Sequence, residues 1–178
     1  MRKANYDKFP STKLTGMLVQ GWDSIISMLK KKMDARKVLA VDLYTGVYEE
    51  EVLDAFSKEF SGRVMNVRDL MKPEKEIQTL TERFMTEDVL FGYVTNLKLE
   101  DYLDADKVAA ARKQISEAKE TIVIIGTGAA VVAPQDAMVV YADMARWEIQ
   151  QRFRRHRQSE RCCFFAIQER VFQRLESM

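Results

Sequence analysis

The chain has 178 residues and a formal charge of +1, from 28 Lys and Arg against 27 Asp and Glu. With 10% aromatic residues, 7 Gly and 3 Pro, it is not a disordered or low-complexity chain, and its length suits one domain with a full core. Near-neutral charge argues against a nucleic-acid binder, and no apolar run approaches the ~20 residues of a membrane span. The N-terminus has no apolar signal segment, so a cytoplasmic protein is expected. The two cysteines, Cys162 and Cys163, are adjacent and there is one His, His156, so neither a disulfide scaffold nor a Cys/His zinc cage can be assembled.

Residues 1–16 are polar, with a turn signal at Phe9–Thr12. Leu18, Trp22, Ile25, Ile26, Leu29 and Met33 then recur at helical spacing, with Lys30–Lys32 in the last turn, where cations suit the helix dipole. Val38–Leu43 reads as a strand buried on both faces. Glu49–Glu51 open a helix carrying Val52, Leu53, Phe56 and Phe60, closed by Ser61-Gly62. Arg63–Val67 is the next strand. Pro73 suits the first turn of a helix with Ile77, Leu80 and Phe84, and Val89–Val94 reads as a third strand. Asp104 or Asp106 caps a helix that faces Val108, Ala111, Ile115 and Ala118 inward. Thr121–Ile125 and Ala137–Tyr141 complete the strands, and a last helix runs from near Met144 into Arg152–Arg155. Alternating strands and helices of these lengths predict an α/β fold, a mostly parallel sheet flanked by helices.

Ligands in such sheets bind beyond the carboxyl ends of the strands, which singles out three loops. The loop Asp42–Glu49 (DLYTGVYE) stands where a phosphate-binding loop would lie. A working phosphate loop needs a Lys for the terminal phosphates and a Ser or Thr for magnesium; this one has a single Gly, no Lys, and three successive Glu. Tyr44, Thr45 and Gly46 either contact a ligand or simply form a tight turn. Gly126, Thr127 and Gly128 follow the strand at Thr121–Ile125; small residues there admit either a ligand or a close-packed neighbour. Asp143, Arg146, Arg152, Arg154 and Arg155 form an arginine-rich segment that either clamps phosphate oxygens or is a solvated basic face. Asp42 and Asp69 are the candidate catalytic carboxylates, although Asp69 equally suits a cap. The spacing of the acidic residues suggests no metal site.

Thr121–Ala130 (TIVIIGTGAA), Asp136–Asp143 (DAMVVYAD) and Arg146 through Arg155 together resemble the last third of uridine kinase-like P-loop proteins. Asn5–Pro10 (NYDKFP), Gln20–Asp23 (QGWD), Tyr44–Val47 (YTGV) and Tyr141–Gln150 (YADMARWEIQ) are similar to the N-terminal region of long class I mannose-6-phosphate isomerases of the Bacteroides type. The resemblance covers residues 5–155 and implies a P-loop kinase-like three-layer sandwich over 1–155 with a degenerate phosphate loop. It also implies that the isomerase chemistry belongs to a zinc-binding cupin domain downstream, the expected partner, and not to this chain. A nucleotide with magnesium is the cofactor only if the domain is a working nucleoside or sugar kinase; otherwise the domain is non-catalytic, or a binding module for a nucleotide or sugar phosphate. Residues 156–178 depart from the family pattern and read as a tail, hypothetically an out-of-frame reading of the gene. Its Phe164, Phe165, Ile167, Val171 and Phe172 predict self-association as a homodimer through the tail.

Overall fold

A computed structural model describes residues 13, 16, 18–33, 37–88 and 92–154. Four strands form one sheet: β1 (Val38–Leu43), β2 (Arg63–Asn66), β3 (Ile122–Gly126) and β4 (Met138–Ala142). All pair in parallel, in the order β2-β3-β1-β4. The two central strands are buried almost throughout, which is why their sequences VLAVDL and IVIIG read as near-continuous apolar runs. β4, an edge strand, alternates instead between partly buried and exposed.

Helices cover both faces. On one, α1 (Trp22–Met33) and α2 (Glu49–Glu59) pack Ile26, Leu29, Met33, Val52 and Phe56 against Leu39, Val41, Val123 and Ile125. On the other, α3 (Glu74–Glu82), α4 (Ala105–Glu117) and the four-residue α5 (Ala129–Val132) pack on Val38, Ala40, Ile122 and Ile124. A 3-10 turn, Val67–Leu70, adds Val67 and Leu70 to this second layer. α6 (Arg146–Arg154) follows β4. The molecule is thus a three-layer α/β/α sandwich around an all-parallel sheet. Among the described residues, no helix is long and apolar enough to cross a membrane.

Local signals explain most boundaries. Asp104 is the residue that caps α4, its carboxylate accepting from the N–H groups of Asp106 at 3.0 Å and Lys107 at 3.1 Å. Pro73 stands one place earlier than expected, as the N-cap of α3, where its lack of an N–H costs nothing. Leu18 is 80% exposed and lies outside α1.

The strand expected at Val89–Val94 does not form over its described part. Gly92–Val94 belong to no strand, and Val94 is 97% exposed; Val89–Phe91 lie outside the described residues. The Tyr93 N–H donates to the Phe84 carbonyl at 3.0 Å, so the chain folds back on the end of α3 and does not join the sheet. A Cβ on Gly92 would stand 2.8 Å from the same carbonyl oxygen, so this approach requires glycine.

Candidate functional site

β1 leads into α2 on one face of the sheet, whereas its neighbour β3 leads into α5 on the other. The carboxyl ends of β1 and β3 therefore flank a topological switch point, the place where ligands enter open α/β sheets. Asp42, Tyr44, Thr45 and Gly46 lie there from β1, and Gly126, Thr127 and Gly128 from β3, with Asp42 paired to Gly126 in the ladder. Tyr141 and Asp143 arrive from β4, where Asp42 is also paired to Tyr141. These three segments are brought together as the sequence reading expects.

Their hydrogen bonds, however, point inward. The Asp42 carboxylate accepts from the Gly128 N–H at 3.2 Å (Oδ1) and from the Ala130 N–H at 2.9 Å (Oδ2). The Thr127 hydroxyl donates to the Leu43 carbonyl at 3.0 Å. Two backbone donors after β3 that could face an anion are thus engaged by a carboxylate of the chain itself. Gly128 takes a left-handed conformation (φ 88°) to begin α5, and Gly126 (φ 134°) passes so close to Val67 that a Cβ would stand 2.9 Å from the Val67 Cβ. Both glycines serve close approach of backbone, one of the two roles open to them from the sequence.

The β1–α2 loop is closed in the same way. Gly46 is buried with φ 91°, and a Cβ there would meet the Ile149 side chain at 2.9 Å. Arg152 reaches over this loop: Nη1 donates to the Gly46 carbonyl at 2.7 Å, Nε pairs with Glu148 at 3.2 Å, and the guanidinium lies 3.8 Å from the centroid of the Tyr48 ring. No side chain caps α2, and Glu49, in its first turn, has a buried Oε1 with no hydrogen-bond partner among the described residues. That carboxylate occupies the positive end of the dipole, which a polyphosphate would otherwise use.

Around the mouth, Tyr44 and Tyr141 stand with ring centroids 6.2 Å apart, 46% and 58% exposed. The Tyr141 phenol is held above its ordinary pKa by partial desolvation, then by the charge of Asp143, with smaller contributions from Tyr44 and Asp42. Asp143 accepts from the Met144 N–H at 2.7 Å, and the Arg146 side chain is exposed with no hydrogen bond or ion pair to a described residue. Arg155 lies outside the described residues. Asp69 sits in the 3-10 turn after β2, in a cleft of about 320 Å³ with Arg63, Asn66 and Lys107. Asp69 follows β2, which β3 separates from β1, and no residue from the β1 end lines its cleft. The structure does not gather the two carboxylates at one point. Among the described residues, no group of three or more His, Cys, Asp or Glu could hold a metal ion.

Tyr48, Ala130 and Glu148 fall within stretches that the sequence singles out, but nothing in it assigns them their contacts here. Tyr48 and Arg152 meet only because α6 folds back over the β1–α2 loop, and the Ala130 contribution is a backbone N–H that any residue type except proline would supply.

The fold and crevice define a parallel α/β/α sandwich with a switch-point loop cluster. The chain belongs to the family described as a domain of unknown function, DUF8485, whose model matches residues 21–162. No curated protein and no solved structure matches it.

Proposed function

We propose that this chain is a non-catalytic kinase-like domain of a mannose-6-phosphate isomerase-like protein. It would serve as a packing or regulatory module beside the domain that does the chemistry. The observation that carries the first half of this reading is the Asp42 carboxylate bound to the Gly128 and Ala130 N–H groups. Phosphoryl transfer depends on cationic and N–H stabilisation aimed at the phosphates. Here the β1–α2 loop has no Lys, two N–H groups after β3, those of Gly128 and Ala130, are engaged by Asp42, and Arg152 is engaged by Gly46 and Tyr48. The residues present therefore fit a magnesium–nucleotide complex poorly. The isomerase half rests on the resemblance of Tyr44–Val47 and Tyr141–Gln150, strings that here line the crevice mouth and lead into α6.

Calorimetric titration with magnesium–ATP, combined with a phosphoryl-transfer assay on nucleosides and sugars, tests this reading. No heat of binding and no turnover are expected; measurable turnover overturns it. One observation favours a second reading, a binding module for a nucleotide or sugar phosphate: the Arg146 side chain, at the start of α6, is exposed and unpaired among the described residues. A ligand present at 100 times its dissociation constant adds about 2.7 kcal/mol of stability, so a thermal-shift series with such compounds separates the two.

A further inference from the structure

Among the described residues, β4 has one neighbour in the sheet, β1, and its other edge pairs with no strand. The Tyr44 N–H donates to the Ala142 carbonyl at 2.9 Å, so Ala142 directs its polar groups toward β1. Backbone groups alternate sides along a strand, so Met138 and Val140 do the same, while Val139 and Tyr141 direct their N–H and C=O groups to the open edge. The side chains of these two residues are also the exposed ones, at 53% and 58%. Nothing in the strand MVVYA discourages pairing: it has no Lys, no Pro and no charge, the usual protections of an edge.

Charge is confined to the ends. Asp136 precedes the strand and Arg146 opens α6 after it; both are exposed, and neither side chain has a hydrogen bond or ion pair to a described residue. An antiparallel neighbour of the same sequence would set the Asp136 end of one strand beside the Arg146 end of the other. A two-fold axis makes that match twice.

We propose that the open edge of β4 is a docking surface for a second copy of this chain, paired antiparallel about a two-fold axis beside Val140. In that arrangement Val139 exchanges hydrogen bonds with the partner's Tyr141, and Tyr141 with the partner's Val139, while Arg146 faces the partner's Asp136. The contact is isologous, so it closes as a dimer and does not propagate. It involves neither the crevice donors nor the apolar residues of the tail.

Sedimentation and light scattering of the full chain test the proposal, with amide exchange resolved at Val139 and Tyr141. A dimer is expected, with those two amides protected. Val139→Lys should weaken association by about tenfold or more, since it puts a charge at the centre of the edge. Asp136→Arg and Arg146→Asp should each weaken it, and the two together should restore it. The charge swap keeps the test informative should Val139→Lys fold poorly. A monomer at every concentration overturns the proposal. So does a dimer that Val139→Lys and the charge variants leave intact but that Phe164→Asp with Phe172→Asp dissociates, since association then runs through the tail.

Discussion

Asp42 is the residue on which the crevice turns. A carboxylate that accepts two backbone N–H groups is worth about 1.5–3 kcal/mol per charged hydrogen bond, and its loss leaves both donors without an acceptor. Asp42→Ala should therefore lower stability by about 2–4 kcal/mol in denaturant titration, while Asp42→Asn, which keeps one acceptor oxygen, should cost less. If the carboxylate instead repelled a ligand from a site otherwise ready for it, Asp42→Asn would uncover binding of inorganic phosphate, visible in calorimetry. Gly126 poses a different constraint. Its φ of 134° and the 2.9 Å approach to Val67 predict that Gly126→Ala costs about 1–3 kcal/mol in strain alone. Replacing Val67 with Gly should cost less in that background than in the wild type, because it removes the Cβ that the new methyl would crowd. A double-mutant cycle of unfolding free energies measures the difference; strict additivity would show that the two side chains do not meet.

Among the elements, the segment around Gly92–Val94 separates pattern from placement. Val94 has the apolar neighbours of a strand, but with 97% of its surface exposed it has little to lose. Val94→Asp should change stability by no more than about 0.5 kcal/mol, whereas Ile124→Ala in fully buried β3 should cost about 2–5 kcal/mol. Equal penalties in chemical denaturation would contradict the fold-back on Phe84. The same contrast shows what is legible in the sequence. β1 and β3 are readable because both faces are covered and nearly every position is apolar. α4 is readable from Asp104 because a cap acts within one turn. At 92–94, the described part of the expected strand, the sequence is misread because apolarity reports a preference for burial and not the existence of a sheet edge to receive the segment. At the crevice, the loops were legible from their place after strands, but the direction of their hydrogen bonds was not. Nothing local tells that a carboxylate at Asp42 will satisfy Ala130, 88 positions later.

At the scale of the molecule, the order β2-β3-β1-β4 has a consequence in time. β1 pairs with β3 and β4 and never with β2, the strand next to it in the chain. Thr127 and Leu43, which meet where β1 and β3 end, are 84 residues apart. A ribosome adding about 5–20 residues per second needs roughly 4–17 s to cover that distance. Throughout that interval the apolar run Val38–Leu43 is outside the exit tunnel without a neighbour, a natural client for chaperones and a hazard for aggregation. A fragment ending at Ala118, before β3, should accordingly show no cooperative thermal transition and should bind a hydrophobic dye. Extending the fragment through Arg154 should abolish the dye signal, because the strand that completes the centre of the sheet is among the last parts of the domain to be made.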